Sequence, residues 1–269
     1  MNILQAITEH KRVEIMKRKQ KRPLSDLQSF PHYGRKTNRV DIEQLRQNPG
    51  IIAEFKRKSP SRGVLHPEAD PVEVSGGYRE AGVAAMSILT DRDFFGGSFR
   101  DLSQVREAEE GLVLLRKDFI LDPYQLHESR AYGADMVLLI AALLEKHQVE
   151  ELALEAKSLG LQVLFEVHSP EELEKWHHAI PFVGVNNRDL TTFTVDTELS
   201  LRMIRELPKE VIPVSESGIT SVEEVWKLYH SGYRLFLMGE RFMRQSDPGR
   251  ACRDFIRSLG SETSERGAT

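Results

Sequence analysis

From residue 50 onward the chain repeats one pattern eight times: a short, almost wholly apolar run followed by an amphipathic stretch. The runs are Gly50–Lys56, Ala84–Asp91, Gly111–Lys117, Asp135–Ala141, Leu161–Val167, Pro181–Asn187, Val211–Ser215 and Arg234–Gly239. Segments such as Met136-Val-Leu-Leu-Ile140 lack the polar alternation of a strand with one wet face. They fit parallel strands covered on both sides. Helix signals fill the spaces between. Asp70-Pro71 supplies an N-cap and a proline at the first helical position ahead of Val72–Ala81. Ser169-Pro170-Glu-Glu172 has capping-box spacing, and Thr220-Ser221-Val-Glu-Glu224 opens a helix that stops at Ser231-Gly232. Gly82, Gly133, Gly160 and Gly232 each stand between a helix and a strand, where a left-handed C-cap belongs.

Eight strand–helix units with short connections predict an α/β fold, a (β/α)8 TIM barrel. The rival is a doubly wound open sheet. It usually carries a glycine-rich dinucleotide loop after its first strand, and Lys58-Ser-Pro-Ser-Arg62 has none of those glycines. Residues 1–49 fall outside the repeat as an extra N-terminal helical segment. A helix over Ile3–Lys19, with Leu4, Ile7 and Met16 on one side, should pack over one end of the barrel. Residues 1–260 then form a single domain, and the small polar segment 261–269 reads as a disordered tail.

Composition removes several classes of function. A net charge of −4 offers no global basic field for nucleic acid. The lone Cys252, in an apparent terminal helix, allows neither an intrachain disulfide nor a cysteine-cluster metal site, and suits a reducing compartment. No apolar run approaches the roughly 20 residues of a membrane span, and the N-terminus lacks the layout of a signal peptide. The expectation is a cytoplasmic protein with neither nucleic acid nor membrane as partner.

In such a barrel, chemistry sits where strands end and βα loops begin. Those ends hold Glu54 and Lys56, Thr90 and Asp91, Lys117 and Asp118, Glu166, Asn186 and Asn187, Glu216 and Ser217, and Gly239. Glu54, Glu166 and Glu216 with Lys56 and Lys117 would converge on one mouth. Charges at inward positions are costly unless paired, so any one of them could be a simple salt bridge. As a set they favour a catalytic site. Lys117 should point inward and Arg116 outward; partial desolvation or nearby cations would lower the Lys117 pKa and suit it to general acid work. Glu166 follows Val163-Leu-Phe165, an apolar setting that would raise its pKa toward a useful range. Ser215-Glu-Ser217-Gly218 and Leu237-Met-Gly239-Glu240 end the last two runs, where barrels of this kind often hold a phosphate. His177-His178 reads as a helical pair on the barrel's outside, and His168 as a solvated loop histidine. No zinc or iron constellation emerges.

The chain resembles the indole-3-glycerol phosphate synthase family from about Ile3 to Phe255. The specific marks are Ile52-Ala-Glu-Phe-Lys-Arg-Lys-Ser-Pro-Ser61 and Gly184-Val-Asn-Asn-Arg-Asp-Leu190. They are supported by Ser87-Ile-Leu-Thr-Asp91, Phe94-Phe-Gly-Gly-Ser98, Leu115-Arg-Lys-Asp-Phe-Ile120, Ser215-Glu-Ser-Gly-Ile219 and Met238-Gly-Glu240. The resemblance implies ring closure, decarboxylation and dehydration of 1-(2-carboxyphenylamino)-1-deoxyribulose 5-phosphate, in tryptophan biosynthesis, with no cofactor and no metal. It implies Lys117 as general acid, Glu166 in the later proton transfer, and Lys56 as a substrate contact that shares the acid role. Glu54, Asn186 and Glu216 would orient these groups. Ser59 and Arg188 would hold the anthranilate carboxylate, and Ser217, Gly218, Gly239 and Glu240 the phosphate, the last three through backbone N–H groups. The partner is therefore a small-molecule phosphosugar, and a monomer is expected, with a weak dimer as the alternative. Two other readings are a phosphosugar isomerase barrel, which would need a cysteine or aspartate in the acid/base pair, and a non-catalytic binder, which would not need the Lys/Glu set.

Overall fold

Each apolar run is a strand in the computed structural model of the chain, which describes residues 3–59 and 63–266. The strands are β1 (Gly50–Phe55), β2 (Ala85–Leu89), β3 (Leu114–Lys117), β4 (Met136–Ile140), β5 (Gln162–Val167), β6 (Phe182–Asn186), β7 (Ile212–Glu216) and β8 (Leu235–Met238). All pair in parallel with their sequence neighbours, and β1 closes the ring against β8, with Gly50 opposite Leu235 and Ala53 opposite Met238. The fold is a TIM barrel.

The two-residue period of a strand divides the core into two shells. Ile52, Leu115, Leu138, Leu164, Val214 and Leu235 fill the barrel interior. Ile51, Ala53, Phe55, Val137, Phe165 and Phe236 face the surrounding helices. The inward series continues past the apolar plug into a polar layer at the strand ends, and this is how the fold delivers its chemistry to one face.

The helices are α1 (Ile3–Lys21), α2 (Leu24–Gln28), α3 (Ile42–Gln47), α4 (Pro71–Ala81), α5 (Phe99–Ala108), α6 (Pro123–Ala131), α7 (Lys146–Ser158), α8 (Pro170–Leu173), α9 (Glu198–Met203), α10 (Val222–Ser231), α11 (Glu240–Met243) and α12 (Pro248–Arg266), and their boundaries follow local capping chemistry. Asp70 accepts from the N–H groups of Val72 and Glu73 at the start of α4 (Pro71–Ala81), and Ser221 with Glu224 forms the capping box of α10 (Val222–Ser231). Gly82, Gly133, Gly160 and Gly232 all have positive φ after their helices. One predicted box fails: Ser169 makes no side-chain cap to α8 (Pro170–Leu173), and Glu172 instead accepts the N–H of His168 at 2.7 Å. That helix ends at Leu173, so His177 and His178 lie beyond it rather than on it.

Helix α1 (Ile3–Lys21) packs over the barrel with Leu4 and Ile7 of its expected side turned inward, but Met16 does not share that side. Met16 is 60 % exposed, whereas Ile7, Lys11 and Ile15 are buried. Lys11 has no exposed surface: its ammonium lies 2.7 Å from Asp91, 3.0 Å from Asp118 and 2.7 Å from Glu14. The helix is therefore fastened by a charge inserted between two strand ends. At the other terminus, α12 (Pro248–Arg266) runs through most of the segment expected to be a disordered tail. No proline interrupts that segment, and extending an existing helix fixes only one residue per new hydrogen bond. Positions 267–269, like Pro60, Ser61 and Arg62, lie outside the described residues.

Candidate active site

The inward side chains at the strand ends meet around a cavity of about 560 Å³. β1 contributes Glu54 and, one step past its end, Lys56; β3 contributes Lys117, β5 Glu166, β6 Asn186 and β7 Glu216. Lys117 Nζ lies 3.1 Å from Glu216 Oε2 and 3.4 Å from Glu166 Oε2. Asn186 donates to the other oxygen of Glu166 at 3.1 Å, and Lys56 Nζ sits 2.5 Å from Glu54 Oε1. The same ion pairs that neutralise these charges gather them around the cavity.

Two glycines make room for these carboxylates. A Cβ at Gly239 would fall 2.6 Å from Glu54 Oε1 and 2.8 Å from Glu54 Cβ, and one at Gly184 would collide with Glu216 Oε1. Gly239 therefore has a steric duty toward Glu54 beside any use of its N–H. Next to it, Ser217 and Gly218 both take left-handed backbone conformations, with φ of 68° and 79°. For a serine that is a strained state, of the kind found at ligand-holding turns. Gly239 stands at the N-cap of the short helix α11 (Glu240–Met243). The Glu240 carboxylate is taken up by Arg244 at 3.0 Å and Arg188 at 3.7 Å. Arg188 also donates to the Phe193 carbonyl at 3.2 Å. Ser59 is buried at the cavity edge in a two-residue strand that pairs with Gly63–Val64. All twelve predicted site residues border the one cavity.

The electrostatics differ from the sequence expectation at both Lys117 and Glu166. Burial alone would lower the pKa of Lys117, but Glu216, Glu166 and Glu54 outweigh it and hold the ammonium well above the ordinary lysine value. Burial would likewise raise Glu166, yet Lys117, His168 and the Asn186 hydrogen bond bring it below the usual carboxylate range. The group pushed upward is Glu216: burial and the neighbouring Glu166 and Glu54 outweigh Lys117 and take it to about 7. Apolar neighbours in sequence were a poor guide because the relevant neighbours are charged and come from other strands.

The other strand ends are tied into the fold, although Asp91 and Asp118 also border the cavity. Arg116 faces outward and is fully buried, donating to Asp118 at 2.8 Å, Thr90 at 3.0 Å and the Gln125 carbonyl at 2.7 Å. Asp91 and Asp118 are occupied by Lys11, and Asn187 holds Ser200 and Ser215. His168 is not a solvated loop residue. Its side chain is 17 % exposed and its ring lies between Glu166 and Glu172. The sequence reading also missed the apolar wall, to which Leu4, Ile7, Phe95, Phe119 and Leu190 contribute. Such residues look like core in a sequence; only the Phe94-Phe95-Gly96-Gly97 run, with aromatics on a tight loop, marked them. Among the described residues, no group of three or more His, Cys, Asp and Glu side chains is placed to hold a metal ion. No helix among them is long and apolar enough to cross a membrane.

Solved structures share the fold at low identity. A KGPDC from Streptococcus mutans superposes with a TM-score of 0.62 at 11 % identity, covering 80 % of this chain and 99 % of that one. A 3-hexulose-6-phosphate synthase from Salmonella typhimurium gives 0.60 at 13 %, covering 79 % and 99 %. Sequence comparison is decisive. The family model for indole-3-glycerol phosphate synthase matches residues 4–255. The chain belongs to the indole-3-glycerol phosphate synthase family. A family member from Bacteroides thetaiotaomicron is 43 % identical over 258 residues, spanning 96 % of this chain and 99 % of its own. One from Acidithiobacillus ferrooxidans is 42 % identical over 255 residues, spanning 93 % and 97 %. The chain is accordingly a carboxy-lyase of tryptophan biosynthesis.

Proposed function

We propose that the twelve residues around the mouth carry out the family reaction, converting 1-(2-carboxyphenylamino)-1-deoxyribulose 5-phosphate into indole-3-glycerol phosphate. The observation that carries this assignment is the Lys117 ammonium fixed between Glu216 and Glu166 beside an apolar wall. In the first step the ring carbon bearing the carboxylate attacks the ketone carbon, and Lys117 protonates the oxygen as it gains charge. An alkoxide is a far stronger base than an amine, so even an ammonium with a raised pKa delivers its proton downhill. Loss of carbon dioxide returns the electron pair to the ring. The new hydroxyl then leaves as water, with Glu166 removing the adjacent carbon-bound proton and Lys56 assisting departure of the oxygen.

Charge placement supports this order. The substrate brings a carboxylate and a phosphate, and the site offers Lys56, Lys117 and Arg188 against them. Ser59 and Arg188 hold the carboxylate, with the aromatic ring against Phe95 and Phe119. Ser217 and the N–H groups of Gly218, Gly239 and Glu240 hold the phosphate, for which the strained turn is a suitable concavity. Lys117→Ala should lose at least about 100-fold in kcat, followed by indole fluorescence. Undiminished turnover in that variant would remove Lys117 from the acid role, and no turnover in the wild type would remove the activity itself. We further propose that the enzyme works as a cytoplasmic monomer, without nucleic acid; sedimentation at micromolar concentration checks its state of association.

A further inference from the structure

Glu166 has a second cation beside it that the scheme above leaves without a task. His168 lies two residues further along, on the same face of the chain end, and presents Nε2 to Glu166 Oε1 at 3.6 Å. Its other nitrogen, Nδ1, lies 3.4 Å from Glu172, whose carboxylate also takes the His168 backbone N–H at 2.7 Å. Both ring nitrogens are buried without a closer hydrogen-bond partner. Glu172 has given up its predicted place in the α8 cap to make this arrangement. The result is a line, Glu172–His168–Glu166–Lys117, running from the rim of the barrel to its catalytic ammonium.

We propose that His168, oriented by Glu172, is a positioning residue that keeps Glu166 ionised and aimed at the substrate. The inference rests on the assignment of Glu166 as the base. The groups facing the ring decide its charge: Glu166 from β5, Glu172 from α8 and Glu216 from β7 all favour the imidazolium and outweigh burial, which opposes it. Lys117 and the ring share Glu166 as a partner, at 3.4 and 3.6 Å. Two residues past the end of α8, Lys175 donates to the carbonyls of Ala141 and Leu144 in the connection after β4. In turn the imidazolium lowers the apparent pKa of the Glu166–Glu216 pair, whose titration is shared. Substrate contacts lie elsewhere in the mouth, so loss of the ring should act on kcat and its pH dependence and leave KM alone.

The test is the pH profile of kcat for His168→Gln and Glu172→Gln, beside Glu166→Gln. His168→Gln should move the acid limb upward by about half to one pH unit. On that limb, below its native midpoint, kcat should fall roughly three- to tenfold, with little change at pH 8 and KM within about twofold. Glu172→Gln should move the limb in the same direction by a smaller amount. It should also lower the pKa of the His168 imidazole read by nitrogen-15 NMR, a measurement that stands even where His168→Gln folds poorly. An unmoved limb, or a loss uniform across pH, overturns the inference while Glu166→Gln remains inactive. Full turnover by Glu166→Gln would instead overturn the assignment of the base.

Discussion

Replacing Lys11 by methionine removes one charge from a fully buried cluster and keeps much of its volume. In the native protein the ammonium touches Asp91, Asp118 and Glu14, and neither aspartate is more than 3 % exposed. Asp118 would keep Arg116 and Thr90, at 2.8 and 2.7 Å. Asp91 would keep only the N–H groups of Phe94 and Phe95 on Oδ1, leaving Oδ2 buried without a cation. Stranding a buried charge in this way costs about 3–5 kcal/mol, and the partners that remain place Lys11→Met near about 3 kcal/mol. For a chain of this size that corresponds to a melting point lower by about 6–12 °C. Urea titration should show a lower midpoint at unchanged slope. Where α1 releases before the barrel opens, the same loss appears as missing amide protection over Ile7–Ile15. Adding Asp91→Asn removes the stranded charge and should return about 1–2 kcal/mol. A loss below about 1 kcal/mol with α1 still protected, or a double variant destabilised by the sum of the singles, would refute the reasoning.

Gly239→Ala should fold but push Glu54 off Lys56, and we expect kcat to fall about tenfold or more with circular dichroism unchanged. Ser217→Gly should relieve the left-handed serine and stabilise the fold by up to about 1 kcal/mol, while raising KM through loss of the hydroxyl. The raised pKa of Glu216 makes its contribution to stability full below its unfolded value of 4.5 and lost as pH rises through about 7. Glu216→Gln should therefore flatten the decline in stability over that window, measured by urea unfolding at several pH values. Cys252 is fully buried and its thiol is pushed up to about 12, so Ellman's reagent should react only after unfolding.

The barrel was readable because eight parallel strands leave eight uninterrupted apolar runs, and because caps such as Asp70-Pro71 and Ser221–Glu224 act locally. The gathering of the predicted residues around one cavity was readable for a related reason: a charge at the end of an apolar run has few structural uses. What escaped depended on contacts between distant segments. Lys11 looks like any surface lysine of an amphipathic helix until Asp91 and Asp118 arrive from two other strands. The acidities of Lys117 and Glu166 went the other way because their partners lie across the barrel, not along the chain. Glu172 matched a local rule and broke it, since His168 offered a better use for its carboxylate.

The seam between β1 and β8 joins the beginning of the barrel to its end, and Glu54 fills the space that Gly239 leaves open across it. A nascent chain therefore carries Glu54, Lys56 and Lys117 for most of its synthesis with no partner for the seam. Circularisation and assembly of the site are one event, completed only when the final strand leaves the ribosome. A truncated chain lacking β8 is not a weakened enzyme but an open sheet with two raw edges, one of them bearing a glutamate made for a neighbour that never came.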